Sequence, residues 1–117
     1  MTSPFLRRVN ESLKEAIADE IGRLTDPGLG FLTITGVDTV PDLRSARVYY
    51  SVLGDDAESE QTAAALERAR SHIRSEVGKR VRLKYLPDLR FERDEAIEQG
   101  LRIERLLTEI REQEEAG

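Results

Sequence analysis

Three stretches of the chain carry apolar residues at three- and four-residue spacing, which is the spacing of one face of an α-helix. The first stretch predicts a helix from about Pro4 to Leu24, with Ser3 as its N-cap. The second predicts a helix from about Ser59 to Val77, with Gly78 as its stop. The third follows Asp94, which can cap it, and its apolar positions are Ile97, Leu101, Leu106, Leu107 and Ile110.

Between the helical stretches the pattern changes to β-branched and aromatic residues. Phe31–Val37 and Ser45–Leu53 predict two strands, and the turn residues 40–43 between them favour an antiparallel hairpin. A third strand is expected over Leu83–Phe91, where Pro87 favours an edge or bulged strand. The order α-β-β-α-β-α predicts an α+β domain, a three-stranded sheet with helices on one face.

Length and composition limit the class of protein. The 117 residues form one domain, which we expect over residues 1–110, followed by a disordered acidic tail over residues 111–117. No apolar run approaches the roughly 20 residues that a membrane span needs. The first residues lack the apolar segment of a secretory signal peptide. We therefore expect a cytoplasmic protein with no membrane partner.

Few residues of this sequence could carry out catalysis. The chain has no cysteine, which excludes a disulfide, a thiol nucleophile and a cysteine-ligated metal. His72 is the one histidine of the sequence and lies in a predicted helix among charged residues, so neither a zinc site nor a Ser-His-Asp triad is expected. We predict that the protein is not an enzyme and needs no metal or cofactor.

Charge is distributed unevenly along the chain. The net charge is −5, but residues 67–90 hold eight basic and three acidic residues, whereas the segments on either side of them are acidic. Such a chain can attract a polyanion with one segment and repel it with the rest. An ordinary solvated helix face would give the same composition, so charge alone leaves both interpretations open.

The basic stretch is nevertheless arranged like a phosphate-binding row. Arg70 and Arg74 lie one turn apart on the predicted second helix, and the cations Lys79, Arg80, Arg82 and Lys84 follow. Such a row can contact successive phosphates. Because Tyr85 is the one aromatic residue within this stretch, recognition of backbone and shape fits better than a base-stacking platform.

A resemblance to a known family rests on collinear stretches, which are Arg8–Glu11, Asp26–Thr35, Pro41–Leu43, Ala46–Tyr49, Ser51–Gly54, Ile73–Arg80, Leu83, Pro87–Phe91 and Asp94. From about Arg7 to Leu107 the chain resembles the ribosome-binding factor A (RbfA) family. The resemblance implies a type-II KH-like fold. A KH domain carries a Gly-x-x-Gly loop, but no two glycines here are three residues apart. The family has a helix-kink-helix marked by Ala-x-Gly instead.

At the position of that marker this sequence has Ala69-Arg70-Ser71, with serine in place of glycine. We expect a milder kink there, because serine can bend a helix but lacks the conformational freedom of glycine. An ordinary continuous helix is the alternative, since serine is tolerated within helices.

The resemblance also implies a function. RbfA-like proteins bind the free small (30S) ribosomal subunit and its 16S rRNA near the 5′-terminal helix. They assist late subunit maturation, 5′-end processing and growth in the cold, and an assembly GTPase is a further possible partner. We expect a monomer. The implied RNA-binding residues are Ala69, Arg70, Ser71 and Arg74 in the kink region, extended by Lys79, Arg80, Arg82 and Lys84, with Arg7 and Arg8 as additional candidates.

A second function stays open on the residues alone. The acidic segments Asp55–Glu60 and Glu109–Glu115 could contact a basic ribosomal protein or a GTPase. In that case the chain is a protein-interaction module, and its contact with RNA is incidental.

Overall fold

The computed structural model describes residues 3–116 and confirms the predicted α+β architecture. The strand order in the sheet is β1-β2-β3, with β1 antiparallel to β2 and β2 parallel to β3. The helices and strands are α1 (Pro4–Arg23), β1 (Phe31–Thr39), β2 (Ser45–Leu53), α2 (Asp56–Arg80), β3 (Asp88–Arg93) and α3 (Glu95–Ala116).

Polar side chains cap the N-termini of all three helices. Ser3 Oγ accepts a hydrogen bond from the Leu6 N–H at 3.1 Å, as predicted for α1. Asp94 Oδ1 likewise accepts from the N–H of Ile97 at 3.2 Å. α2 begins three residues earlier than expected because Asp55, rather than a later residue, caps it through a 2.8 Å bond to the third helical residue.

The predicted stop of α2 at Gly78 is wrong, because the helix continues to Arg80. The glycine allows a close approach instead. A Cβ at position 78 would lie 2.8 Å from Leu86 Cδ2, where the segment after α2 crosses back over the helix. A residue without a side chain is therefore favoured at position 78 by tertiary packing and not by the end of the helix.

The third strand is shorter than predicted. Residues 83–87 form no strand, and β3 begins at Asp88, directly after Pro87. Proline has no N–H to donate to a neighbouring strand, whereas the Asp88 N–H donates to the Arg44 carbonyl at 2.9 Å. The predicted edge position is confirmed, since β3 lies at one end of the strand order.

The core lies between one face of the sheet and the helices α1 and α2. Leu13 and Ile17 of α1, Leu66 and Ile73 of α2, and Val48 of β2 are all fully buried. Burying a side chain of this size contributes roughly 1.5–3 kcal/mol. The alternating pattern of β2 therefore places its even-numbered residues in the core, as its sequence predicts.

α3 differs from the prediction that all helices cover one face of the sheet. None of its residues is buried, and its large apolar side chains are 46–57 % exposed. α1 and α2 already occupy the core face, and α3 begins two residues after β3 ends at the sheet edge. It therefore projects from the domain, consistent with principal extents of 61 × 36 × 17 Å.

The expected disordered tail also differs from the structure. Residues 111–116 continue α3 as helix, and Gly117 lies outside the described residues. Glutamate, glutamine, arginine and alanine all have high helix propensity, so this composition extends a helix that has already begun. The boundary of the domain at residue 110 stays a prediction.

The predicted helix-kink-helix does not appear as a break in α2. Helical structure is uninterrupted from Asp56 to Arg80, including Ala69-Arg70-Ser71. The Ser71 hydroxyl makes no hydrogen bond to a carbonyl of the preceding turn among residues 3–116, so the bond by which serine bends helices is missing. Helical structure is therefore continuous through Ala69-Arg70-Ser71, and a bend of the helix axis there stays a prediction.

Candidate nucleic-acid interface

Arg70 and Arg74, the two arginines predicted to contact RNA from the kink region of α2, have partners within the protein. Arg74 Nε donates to the Pro87 carbonyl at 3.1 Å and its Nη2 donates to the Leu86 carbonyl at 2.7 Å. The same side chain lies 3.5 Å from a carboxylate oxygen of Asp88. Arg70 pairs with Glu67 at 3.4 Å on the helix surface. Arg74 therefore anchors the segment between α2 and β3.

The cations at the end of α2 are paired as well. Lys79 contacts Glu76 at 2.9 Å, and this hydrogen bond lowers the pKa of the Glu76 carboxyl. Arg80 contacts Asp19 at 2.8 Å and Glu20 at 3.3 Å on α1. The bond to Asp19 is the main cause of the raised pKa of Arg80.

The burial of Glu20 explains why Arg80 pairs with carboxylates of α1. The glutamate is only 4 % exposed, and a buried carboxylate requires a compensating cation. Arg80 therefore joins α2 to α1 at a position where the fold needs its charge.

The other four predicted cations have no ion-pair partner among residues 3–116. Arg7 and Arg8 lie in the first turns of α1, whose first turn carries no acidic residue, and Arg82 and Lys84 lie in the segment after α2. All four are exposed. The Lys84 ammonium lies 5.5 Å from the centroid of the Tyr85 ring, a weak cation–π contact. These four cations are free to contact an external anion.

Two of these cations line the same open cleft. It has a volume of about 460 Å³ and lies between the beginning of α1 and the segment after α2. Its walls contain three arginines and no carboxylate. The lining residues are Phe5, Arg8, Val9, Ser12, Arg80, Val81, Arg82 and Leu83.

Ala69, Arg70, Ser71 and Arg74 lie elsewhere. Arg70, Ser71 and Arg74 line a smaller depression of about 170 Å³ together with Asp88 and Leu89. The carboxylate of Asp88 opposes an anion there. The predicted residues are thus divided between two surfaces, and the cleft at the start of α1 is the more electropositive in composition.

Phe5 is the residue that sequence reasoning missed at this cleft. It precedes the apolar stripe of α1 and is 53 % exposed. Its position three residues before Arg8 places both side chains on one helix face, which is the one signal that could have identified it.

The described part of the chain contains neither a metal-binding cluster nor a membrane-spanning helix. Residues 3–116 contain no cluster of three histidine, cysteine or carboxylate side chains that could hold a metal. None of the helices described combines the length and apolarity that crossing a membrane requires. The fold and its charged surfaces define a small α+β domain of the binding class.

Comparison with known proteins gives the family. The family model for ribosome-binding factor A matches residues 6–107. The ribosome-binding factor A of Staphylococcus epidermidis is 47 % identical over 104 residues, which span 88 % of this chain and 90 % of the relative. The chain therefore belongs to the ribosome-binding factor A family. This membership confirms the predicted resemblance and the prediction that the protein is not an enzyme, since the family consists of binding factors.

Solved structures agree with this assignment. The crystal structure of ribosome-binding factor A from Thermus thermophilus is 32 % identical with a TM-score of 0.69, over 75 % of this chain and 94 % of that chain. A homology model of the Thermus thermophilus factor, fitted into a cryo-electron microscopy map of a 30S–RbfA complex, is 34 % identical with a TM-score of 0.61. That match covers 71 % of this chain and 88 % of that one.

Proposed function

We propose that this chain binds the small (30S) ribosomal subunit by contacting phosphates of 16S rRNA with Arg7, Arg8, Arg82 and Lys84. The observation that carries the proposal is that these four cations are exposed and unpaired in the described structure, in a chain whose net charge is −5. Neutralising a phosphate releases counterions, which favours binding without any base-specific contact. The Thermus thermophilus relative fitted into a 30S complex supports the choice of partner.

The paired cations contribute less in this proposal. Arg74 and Arg80 would have to give up bonds that hold the segment after α2 and the contact between α1 and α2. Arg70, Lys79, Ala69 and Ser71 are accessible at least in part and form a second, weaker contact surface. The cleft beside the start of α1 is therefore the main binding surface in this proposal.

The proposed role in the cell is that of a factor that binds rRNA and catalyses no reaction. We propose a monomeric cytoplasmic factor that holds the region near the 5′-terminal helix of 16S rRNA during late maturation and 5′-end processing. RNA misfolds most persistently in the cold, so such a factor would matter most for growth at low temperature. An assembly GTPase could then remove the factor from the mature subunit.

Co-sedimentation with purified 30S subunits tests the proposed contact. The double variant Arg8→Glu/Arg82→Glu should lose at least tenfold in affinity for the subunit. The matched control is Arg102→Glu/Arg105→Glu on α3, which makes the same change of charge at two exposed arginines that also have no ion-pair partner among residues 3–116. The wild-type affinity should fall steeply across a salt series.

Equal loss of binding in both double variants would mean that the contact is not specific to the cleft of α1. Unchanged binding of the Arg8/Arg82 variant, with intact circular dichroism, would contradict the proposal directly. Parallel measurements with assembled ribosomes show whether binding is restricted to the free subunit.

α3 favours protein interaction as the second candidate function. Its segment 95–116 has seven glutamates and three arginines, and its apolar side chains are about half exposed. An acidic amphipathic helix complements an apolar groove with a basic rim, which a ribosomal protein or a GTPase could provide. Competition separates the two functions: free rRNA displaces the subunit if RNA contact carries the affinity, and leaves it bound if α3 does.

A further inference from the structure

Phe5 lies in a cleft that three arginines also line. The ring is 53 % exposed, and Arg8 and Ser12 follow it on the same face of α1. Arg82 and Leu83 form the opposite wall. A cleft that combines an exposed aromatic ring with two guanidinium groups lacking ion-pair partners among residues 3–116 suits a flat ligand that is apolar on its faces and anionic at its side.

The composition of this cleft separates it from the other depressions near the predicted cations. Among residues 3–116 no carboxylate lines it, whereas Asp88 lines the depression at Ser71, and Glu11 and Glu15 line an adjoining groove that shares Arg8 and Ser12 with the cleft. An anionic ligand is therefore repelled least at Phe5. The volume of about 460 Å³ is ample for one nucleotide.

We propose that the cleft holds one unpaired nucleobase of single-stranded RNA, stacked on the ring of Phe5. Arg8 and Arg82 contact the phosphates on either side of it, and the Ser12 hydroxyl hydrogen-bonds the edge of the base. A base within a duplex has both faces covered by its neighbours, so duplex RNA cannot stack here. This inference rests on the proposed function, because the RNA segment it requires is part of the rRNA.

Tryptophan fluorescence gives a direct test, because the chain has no tryptophan. The variant Phe5→Trp places one reporter in the cleft. A single-stranded 12-nucleotide RNA should quench its emission, and the quenching should saturate at the concentration where anisotropy of the labelled RNA shows binding. A hairpin duplex of the same base composition should quench little.

The matched control is Phe31→Trp. Phe31 is 79 % exposed at the start of β1. The opposite end of that strand is tied to α1, since the Thr39 N–H donates to Asn10 Oδ1 at 2.9 Å. The reporter at position 31 is therefore remote from the cleft and should not be quenched by either RNA.

A binding measurement separates stacking from packing. Phe5→Ala and Phe5→Leu should both weaken binding of the single strand about tenfold, because leucine restores apolar volume but has no π-face. Their thermal unfolding should match that of the wild type, since Phe5 lies outside the buried core. Full affinity in Phe5→Leu would show that the ring serves only as apolar surface and would overturn the inference.

The remaining outcomes distinguish this inference from the function on which it rests. Saturable binding of the single strand without quenching at position 5, equal quenching by the duplex, or no binding of short RNA overturns the stacked base and leaves subunit binding in place. Failure of the wild-type chain to co-sediment with 30S subunits overturns the proposed function, whatever the short RNA does.

Discussion

α1 and α3 are amphipathic helices of similar length, 20 and 22 residues, yet only α1 is buried. Leu13 and Ile17 of α1 are completely inaccessible to solvent, whereas Leu106 and Leu107 of α3 are about half exposed. α1 packs on the sheet and on α2, whereas α3 meets the domain along its N-terminal half, where Glu98, Leu101 and Arg105 lie beside residues 52–54 at the end of β2. The same periodicity therefore describes a core helix and a projecting one.

The comparison shows what an apolar stripe specifies. The stripe fixes which face of a helix will be covered if anything covers it. The covering surface depends on the rest of the chain, and here α1 and α2 fill the single apolar face of a three-stranded sheet. The apolar stripe of α3 therefore stays exposed to solvent. This exposure costs little free energy because only a few side chains are involved and each is about half covered, and it leaves an apolar surface available to a partner.

Truncating one leucine in each region gives the largest expected difference. Leu66→Ala removes a fully buried side chain of α2 and should lower the free energy of unfolding by about 2–5 kcal/mol. Leu106→Ala on α3 should change it by less than about 0.5 kcal/mol. Urea unfolding measures both. A comparable loss in the α3 variant would show that α3 is packed in solution and would abolish the comparison.

Two arginines of α2 offer a subtler contrast within the packed region. Arg74→Met removes two hydrogen bonds from a guanidinium to backbone carbonyls and should cost about 1–2 kcal/mol. Arg70→Met removes only an exposed ion pair with Glu67 and should cost less than about 0.5 kcal/mol. The free energies of unfolding of the two variants, obtained under identical conditions, check this. Equal costs would show that Arg74 does not anchor the segment before β3.

Local signals in the sequence predicted most of the fold. The caps at Ser3 and Asp94 and the alternation in β2 act over a few residues, and the structure has them where the sequence places them. The predictions that were wrong concern features that depend on contacts between residues far apart in the sequence. Gly78 resembled a helix stop because nothing local shows that Leu86 will cross it.

The candidate site could be predicted only in part, for the same reason. The sequence shows which residues are cationic, but their partners come from elsewhere in the chain. Arg80 meets Asp19 and Glu20, about 60 residues away, only after α1 and α2 have packed. Arg7 and Arg8 were ranked as additional candidates, yet they are among the cations that remain unpaired in the described residues.

The exposed helix α3 and the packed helix α2 each contain a glycine, and replacing these glycines by alanine should affect stability differently. Apart from its chain neighbours and the backbone of its own helix, no described atom lies within 4 Å of a Cβ built at Gly100 in α3, so Gly100→Ala should stabilise that helix by about 0.5–1 kcal/mol. At Gly78 in α2 the same gain in helix propensity is offset because the new Cβ would crowd the side chain of Leu86. Gly78→Ala should therefore stabilise the protein less than Gly100→Ala does, or destabilise it.

Hydrogen exchange reports each helix separately and therefore checks both changes. Amides of α3 should exchange severalfold more slowly in Gly100→Ala, with the amides of α1 unaffected. Slower exchange throughout the domain would mean that α3 unfolds together with the core, contrary to its lack of buried residues.

Acid should weaken the loop that joins α1 to β1, and this is the smallest expected effect. The pKa of Asp26 is lowered from its ordinary value of 3.8, mainly by the hydrogen bond from the Gly28 N–H and also by the bond from Arg68. The folded state thus binds this proton less readily than the unfolded chain does. The carboxylate contributes stability above pH 3.8, and that contribution disappears as the pH falls through the lower, folded pKa.

The variant Asp26→Asn isolates this contribution, because asparagine can keep the bond from Gly28 but cannot titrate. The difference in Tm between wild type and variant should be constant near neutral pH and shrink below about pH 4. A difference that stays constant down to pH 2 would show that Asp26 acts only as a turn residue. In that case its ion pair with Arg68 on α2 would add nothing to the packing of this loop.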